Sequence, residues 1–174
     1  GCVPASRCEG HVARRLGGPI ADSRKMMTGE AGRTAETRIS VITVCFNSEA
    51  TLGDTLRSVA AQTWPHVEHI IVDGASTDGT LELVRQQGAH VAKLISEPDR
   101  GIYDAMNKGV GLASGDVIAF LNADDFYADD GVLSRVAQAM TRERLDALMG
   151  DTAFFDPERP DRQLRRYNSG RFRP

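Results

Sequence analysis

The sequence predicts an α/β fold in which helices cover both faces of a mostly parallel β-sheet. Short apolar, β-branched runs alternate with segments of helical periodicity through the middle of the chain, and this alternation is typical of βαβ units. Polar or acidic residues follow each of the first four apolar runs. Because parallel strands place their carboxyl ends at one edge of the sheet, where ligands bind in such folds, these polar ends predict a single binding site.

The predicted strands are recognised by their continuous apolar character. The run ISVITVCF at 39–46 has the composition of a strand that is buried on both faces. The run DVIAFLN at 116–122, which precedes an acidic stretch, has the same character. Further strands are predicted at 67–73 and 91–96, and a final strand roughly through 145–155.

Helices are predicted in the segments between these strands. The first, at 48–64, is stopped by Pro65. Gly88 is the predicted C-terminal cap of the second. The remaining helices are predicted at 80–88, 102–113 and 130–140. The stripe of the first helix that faces the sheet comprises Leu52, Leu56, Val59 and Ala60.

Composition bounds the function. The 174 residues suit one domain, and no apolar run approaches the roughly 20 residues of a membrane helix. Three cysteines, an odd number without a CxxC pair, argue against a disulfide framework and favour a cytoplasmic location. The formal net charge is −3, but residues 39–156 hold eight basic and eighteen acidic side chains. This acidic centre disfavours nucleic acid as a partner and suits a divalent cation.

The ends of the chain differ from this centre. Residues 1–38 show neither helical nor strand periodicity and are predicted to be a disordered leader. The patterned domain is predicted at 39–156, and the remaining 157–174 are rich in arginine. This basic tail makes peripheral contact with anionic lipid conceivable, although it lacks the amphipathic apolar face of an anchor.

The acidic stretch NADDFYADDG offers two kinds of carboxylate. Asp124 and Asp125 directly follow a predicted strand and are candidate ligands for Mg²⁺ or Mn²⁺, which accept one or two carboxylates together with substrate phosphates. Asp129 and Asp130 precede a helix and are predicted to cap it instead. An EF-hand is excluded because Phe126 would occupy its first ligand position.

The second and third strand ends supply further candidates. Asp73 closes a strand and could accept a hydrogen bond from a nucleobase N–H, or it could belong only to a tight turn. Asp99 could reach a ribose hydroxyl, while Arg100 and Lys108 are cations that could approach a diphosphate. For these last three residues, solvated surface ion pairs are the alternative.

Taken together, three segments resemble the nucleotide-sugar-binding half of a family 2 glycosyltransferase with the Rossmann-like GT-A fold. They are ISVITVCFNSEATLGDTLRSVAAQTWPHVEHIIVDGASTDGT, EPDRGIYDAMNKGVGLASGDVIAFLNADD and GDTAFF, which lie within 39–156. The resemblance implies that Phe46, Asn47 and Glu49 line the nucleotide pocket and that Asp73 contacts the uracil of a UDP-sugar. It also implies that Asp99 and Arg100 lie over the ribose and diphosphate.

In the same family, NADD corresponds to a metal-binding DxD-type motif. Asn122 stands where many relatives have the first aspartate, while Asp124 and Asp125 remain for the metal and the ribose. The resemblance implies a metal-dependent, inverting transfer of a sugar to an acceptor hydroxyl, activated by a base that lies beyond this motif. We expect 157–174 to begin an incomplete acceptor-side region, so that the base is absent; Asp151 is the weak remaining candidate.

The leading hypothesis is therefore a glycosyltransferase, or its donor-binding half, acting on a saccharide or lipid-linked acceptor in polysaccharide or glycolipid synthesis. One alternative is a nucleotide-sugar-binding module without transfer activity. The other is a nucleotidyltransferase, which is disfavoured because CFNSEATLGD has no lysine or arginine after the first strand. For a glycosyltransferase of this kind, contact with the inner face of the membrane is also possible.

Overall fold

The computed structural model describes residues 37–156 and 159–169. These residues form two compact units, which divide between Gln138 and Ala139. The larger unit ends at Gln138, whereas the sequence predicted a domain that ends at residue 156. A domain boundary at 156 stays a prediction. Of the predicted leader, 1–36 lies outside the described residues. No helix in the described part of the chain is long and apolar enough to cross a membrane.

The larger unit is built on four parallel strands in the order β3-β2-β1-β4. Strand β1 is completely buried because β2 and β4 flank it and helices cover both of its faces. Since the chain returns across β1 to form β4, the strand order reverses at this point, and the carboxyl ends of β1 and β4 flank the crevice where such folds bind ligands. The strands span Ile39–Cys45 (β1), Val67–Asp73 (β2), Val91–Ser96 (β3) and Val117–Phe120 (β4).

Helices cover both faces of this sheet, as predicted. One face packs against α1, α2 and α4, and the other against α3. In α1 the stripe toward the sheet contains Leu52, Leu56 and Val59, whereas Ala60 is exposed, contrary to the prediction. Gly88 is the C-terminal cap of α2, as predicted. The helices span Leu52–Ala60 (α1), Thr80–Gln87 (α2), Ile102–Leu112 (α3) and Val132–Glu143 (α4).

Strand β4 is less buried than its apolar sequence predicts. Ile118 is 41% exposed and Phe120 is 48% exposed. Both lie on the face that α3 covers, but α3 packs over β1 and β2, and β4 is an edge strand of the described sheet. The sequence pattern therefore identified the strand correctly and misjudged its surroundings, because an edge position is set by strand order.

The amino-terminal edge of the sheet is held together by one buried carboxylate. Glu68 on β2 accepts hydrogen bonds from the Ser40 hydroxyl (2.6 Å), the Ser114 N–H (2.8 Å) and the Ser114 hydroxyl (2.9 Å), and it pairs with Lys93 (2.8 Å). Burial alone raises the pKa of Glu68, but the bonds from Lys93, Ser40 and Ser114 outweigh it and lower the pKa to about 2. This charge is fully compensated by protein groups.

The smaller unit contains an antiparallel hairpin. Its strands are β5, Thr152–Asp156, and β6, Arg159–Tyr167. The predicted final strand at 145–155 therefore begins later, at Thr152, and pairs with a strand that the sequence did not predict. Strand β6 was missed because it contains a proline and an aspartate, which are depleted in strands, and its many arginines disguise the alternation of a two-stranded ribbon.

Candidate functional site

The loops that follow β1 and β2 are interlocked by hydrogen bonds. The Asn47 side-chain oxygen accepts from the Thr77 N–H (2.9 Å), and the Glu49 carboxylate accepts from the Gly79 N–H (3.0 Å). In return, the Ser76 hydroxyl accepts from the Asn47 N–H (2.8 Å). The side chains of Asn47 and Glu49, which the sequence assigned to the nucleotide pocket, thus bind the neighbouring loop in this structure and fix its shape.

Asp73 lies at the end of β2, fully buried. One carboxylate oxygen accepts from the Ser76 hydroxyl and from the Cys45 thiol (3.7 Å). The other accepts from the Ser76 N–H (3.0 Å) and the Ser96 hydroxyl (2.6 Å). All of its acceptor capacity is used, so a direct contact with a nucleobase requires Ser76 or Ser96 to release it.

Phe46, Gly74 and Asp99 meet beside this carboxylate. Phe46 is 62% exposed at the end of β1. A Cβ placed on Gly74 would lie 2.6 Å from an Asp99 carboxylate oxygen and 3.4 Å from the Phe46 ring, so a larger residue here would displace the Asp99 carboxylate. The other Asp99 oxygen accepts from the Gly101 N–H (2.8 Å). An open aromatic face thus lies next to a hydrogen-bond acceptor, as a planar, polar ligand requires.

The two predicted cations after β3 differ in availability. The side chain of Arg100 is 91% exposed, and its one ion pair within 37–156 and 159–169 is with the Asp104 carboxylate, at 3.4 Å. Lys108 is instead held inside the loop, where it donates to the Pro98 carbonyl (2.8 Å) and pairs with Glu97 (2.9 Å). Arg100 is therefore free to move toward an anion, while Lys108 stabilises the loop in this structure.

The acidic loop, which we define as residues 122–131, begins where β4 ends. Its turn is closed by the Asp125 N–H, which donates to the Asn122 carbonyl (3.1 Å). Asn122 also donates from its side-chain amide to the Asp125 carboxylate (3.4 Å), and its own amide oxygen is buried without a partner among the described residues. The sequence thus placed Asn122, Asp124 and Asp125 correctly on one short turn.

Asp124 and Asp125 carry negative charge that no cation in the described part of the chain compensates. The described residues include no ion pair to either carboxylate, unlike the pairs found for Asp54, Asp104 and Asp129. Burial and the charge of Asp124 both raise the pKa of Asp125, and the Asn122 hydrogen bond only partly opposes them. Two adjacent oxygen donors without a counter-charge suit a hard divalent cation. No group of three or more ligating side chains occurs in the described ranges, so such a cation would need ligands from water or substrate.

In the second acidic pair of the loop, the Asp129 side chain contacts the start of α4, whereas the contacts described for Asp130 are made by its backbone, so the capping role of Asp130 stays a prediction. Asp129 accepts from the Gly131 N–H (2.9 Å), just before α4, and pairs with Arg135 (2.9 Å). These contacts agree with the predicted capping role for Asp129. Asp130 contributes its backbone carbonyl, which accepts from the Thr63 N–H (2.8 Å).

Asp151, the weak candidate for a base, lies in the smaller unit. Its carboxylate accepts from the Ser169 N–H (2.9 Å) and hydroxyl (2.9 Å) and pairs with Arg166 (2.6 Å). The Ser169 N–H and Arg166 lower the pKa of Asp151, and this makes the carboxylate a weaker base. The contacts favour a structural role for Asp151, and its role as a base stays a prediction.

The sequence analysis missed the residues that hold these groups in place. Ser76 and Ser96 satisfy Asp73, and the buried hydroxyl of Thr55 on α1 donates to the Asp125 carbonyl (2.7 Å). A serine or threonine that binds a distant backbone group leaves no periodic signal in the sequence. Only the adjacency of Ser76 to Asp73 in a turn could have indicated one of them.

Comparison with known sequences supports a family assignment. A model described as "Glycosyl transferase family 2" matches residues 40–173. The uncharacterized glycosyltransferase Rv1514c of Mycobacterium tuberculosis is 38% identical over 62% of this chain and 42% of its own length. The putative teichuronic acid biosynthesis glycosyltransferase TuaG of Bacillus subtilis is 38% identical over 60% of this chain and 42% of its own. The chain thus spans less than half the length of these relatives.

Solved structures agree on the fold. Residues 1–349 of S. aureus TarS, in complex with UDP-GlcNAc, superimpose with a TM-score of 0.57 at 26% identity, over 62% of this chain and 32% of that one. The mannosyltransferase PcManGT from Pyrobaculum calidifontis, in complex with GDP-Man and Mn²⁺, gives a TM-score of 0.58 at 25% identity, over 71% and 37%. The parallel sheet with helices on both faces is the GT-A arrangement, and the family model covers most of the sequence, so the chain belongs to glycosyl transferase family 2.

Proposed function

We propose that this chain binds the nucleotide-sugar donor of a glycosyltransferase, at the carboxyl edge of its parallel sheet. The observation that carries the proposal is the uncompensated pair Asp124 and Asp125, which lies at the point where the strand order reverses. A sugar nucleotide brings a diphosphate, and a divalent cation between the two would balance both sets of negative charge. The family assignment makes transfer of the sugar the expected reaction.

The donor set at this edge fits Mn²⁺ or Mg²⁺. Asp124 and Asp125 would hold the cation, and Asn122 orients Asp125 through its amide. When bound, the cation would act as a Lewis acid that stabilises the departing diphosphate. Arg100, with its exposed guanidinium, can add a second positive group on the opposite loop. The Mn²⁺ in the complex of the related mannosyltransferase supports this reading.

A UDP-sugar is the donor that we propose. The exposed ring of Phe46 offers a stacking surface for the base, and Asp99 offers an acceptor beside it. Asp73, in its buried position, would act on the base only if Ser76 or Ser96 moves. The TarS complex with UDP-GlcNAc supports UDP, whereas the mannosyltransferase complex contains GDP-Man, so the test must include both nucleotides.

The rest of the reaction follows from the family and concerns the whole protein. We propose that an acceptor hydroxyl of a saccharide or lipid-linked glycan attacks the anomeric carbon and inverts its configuration. A carboxylate would accept the hydroxyl proton by general base catalysis. TuaG, named for teichuronic acid biosynthesis, supports a glycan acceptor. Asp151 is retained only as the candidate base that the sequence offered.

Isothermal titration calorimetry tests the proposal. UDP, GDP and dTDP would be titrated into the chain with and without Mn²⁺, and the series repeated on Asp124→Asn. Asp124 is exposed, so the substitution removes a candidate ligand without opening the core. Asp54→Asn is the control, because it removes another exposed carboxylate, from α1. We expect UDP binding that Mn²⁺ strengthens and that Asp124→Asn weakens about 100-fold.

Three results would count against the proposal. Equal binding of all nucleotides without a metal effect would exclude the metal-bridged site. A loss of affinity in Asp54→Asn as large as that in Asp124→Asn would mean that total charge matters more than position. If nucleotide binds but no radiolabelled sugar is transferred to any glycan acceptor by a full-length relative of the chain, the non-catalytic binding module becomes the better description.

A further inference from the structure

Helix α1 reaches the acidic loop through a single buried hydroxyl. Thr55 is completely buried, in the stretch of α1 that packs between the sheet and this loop. Its hydroxyl donates to the Asp125 carbonyl at 2.7 Å and lies 3.5 Å from the Asn122 carbonyl. A hydroxyl has one proton, so the shorter contact, to the Asp125 carbonyl, is the hydrogen bond. The longer contact shows that Thr55 also lies close to Asn122, at the start of the same turn.

The position of this bond matters because the carboxylates of the turn have little else to hold them. Among the described residues, the Asp125 carboxylate receives only the weak Asn122 amide contact of 3.4 Å, and Asp124 is exposed. Their placement therefore depends on the backbone of the turn. In that backbone the Asp125 N–H donates to the Asn122 carbonyl (3.1 Å), and the Asp125 carbonyl accepts from the Thr55 hydroxyl.

The segment that directly follows α1 holds the far end of the loop. The Gln62 side chain donates to the Asp129 carbonyl (2.7 Å) and accepts from the Leu133 N–H (2.9 Å). The Thr63 N–H donates to the Asp130 carbonyl (2.8 Å). Because the loop is tied to α1 near one end and to the segment after α1 at the other, its middle cannot drift as a whole. Thr55 is the member of this set that contacts the turn with the candidate metal ligands.

We propose that Thr55 is a positioning residue for divalent metal binding. It acts through the backbone of Asp125, whose fixed position sets the separation and direction of the two carboxylates. The inference rests on the proposed function, because it assigns a purpose to the geometry of Asp124 and Asp125. Without the hydroxyl, the Asp125 carbonyl would lose its buried partner, and the turn would shift to find another.

The test compares variants that differ in the hydroxyl alone. Thr55→Val keeps the shape of the side chain and removes the donor, whereas Thr55→Ser keeps the donor and removes a methyl group. With Mn²⁺ alone as the probe in calorimetry, we expect Thr55→Val to bind about tenfold more weakly, at the lower end of the effects of outer-shell partners. Thr55→Ser should bind within about twofold of the parent. If valine prevents folding, Thr55→Ala against Thr55→Ser isolates the hydroxyl in the same way.

A matched control separates positioning from general loss of stability. Thr43, on β1, is also fully buried, and its hydroxyl lies 3.0 Å from a ring nitrogen of His69. Thr43→Val should destabilise the fold and leave Mn²⁺ affinity unchanged. Hydrogen exchange of the Asp125 amide, measured without any ligand, should accelerate in Thr55→Val and stay as in the parent in Thr43→Val.

Failure of the two proposals would look different. Parent protein that binds no Mn²⁺ would overturn the proposed metal site, and this inference with it. Parent protein that binds Mn²⁺, with a Thr55→Val variant that binds equally well, would overturn the inference alone. Loss of affinity in Thr55→Ser or Thr43→Val as large as in Thr55→Val would also overturn it, as would unchanged exchange at Asp125.

Discussion

The two edges of the parallel sheet differ in whether the protein compensates the negative charge of their carboxylates. At the amino edge, Glu68 receives three hydrogen bonds from Ser40 and Ser114 and an ion pair from Lys93. At the carboxyl edge, Asp124 and Asp125 stand side by side with no cation from the described residues. The first arrangement lowers the pKa of its carboxyl group, and the second raises the pKa of Asp125.

This difference separates structural charge from functional charge. A compensated carboxylate lowers the free energy of the folded chain by itself, because the protein supplies every partner. An uncompensated pair raises that free energy until something else supplies the positive charge. The amino edge therefore serves folding, whereas the carboxyl edge retains negative charge that the proposed cation would balance.

The largest expected effect comes from removing one charge of the pair. Asp125→Asn should weaken Mn²⁺-dependent UDP binding at least 100-fold, since it deletes a candidate ligand. The unfolding free energy should stay the same or rise, because the substitution also removes repulsion from Asp124. Calorimetry and urea unfolding measure the two quantities. A variant that is both destabilised and fully competent in binding would contradict the contrast between the two edges.

At the amino edge we predict the reverse, a loss of stability without a loss of binding. Glu68→Gln should lower the unfolding free energy by about 2–3 kcal/mol, because it weakens charge-assisted bonds to buried partners. Nucleotide and Mn²⁺ affinity should be unchanged. The folded pKa of Glu68 is depressed to about 2 from 4.5, so its contribution is present above pH 4.5 and is lost as the pH falls toward 2. Urea unfolding across this window should show a shallower acid decline in the variant.

A third prediction concerns a buried histidine whose hydrogen-bond partners are uncharged. His69 on β2 lies within hydrogen-bonding distance of Thr43 (3.0 Å) and His90 (3.0 Å). Burial and the neighbouring His90 lower its pKa from 6.5 to about 3, and burial lowers the pKa of His90 as well. The folded state thus excludes a proton that the unfolded chain binds, and stability is lost as the pH falls below 6.5.

The expected slope from His69 is about 1.4 kcal/mol per pH unit at pH values below 6.5. Unfolding free energies at pH 7.5, 6.5 and 5.5 would measure it, with His69→Gln as the variant. The slope should decrease in His69→Gln and persist in part through His90. A variant with the full slope of the parent would show that His69 does not titrate as its surroundings indicate.

The smallest expected effect comes from adding a charge to the carboxyl edge. Asn122→Asp would place a third carboxylate beside Asp125 and should cost about 1 kcal/mol of stability without metal, through like-charge repulsion. Mn²⁺ should restore more stability to this variant than to the parent, since a ligand stabilises the state that binds it. Thermal unfolding with and without Mn²⁺ checks this. A variant stabilised in the absence of metal would mean that the edge is not short of positive charge.

Several features of the site were predictable because they follow from local sequence. Asp124 and Asp125 could be placed on one turn, since they directly follow a strand and precede a helix. Asp129 could be assigned to the start of α4 for the same reason, and its bond to Gly131 agrees. Long-range partners were not predictable. Lys108 reads as an available cation, yet the fold places Glu97 and the Pro98 carbonyl around it.

The sequence by itself determined the order of strands and helices, the parallel sheet and the clustering of polar strand ends at one edge, because hydrophobic periodicity and βαβ handedness are local rules. The tertiary structure alone decided which charges are compensated. It exposed one face of β4, surrounded Asp73 with serines and set Thr55 beneath the acidic loop. These outcomes depend on side chains that are distant in the chain and meet only when the strands and helices pack together. Hydrogen bonds between such groups leave no repeat or spacing that could be detected in the sequence.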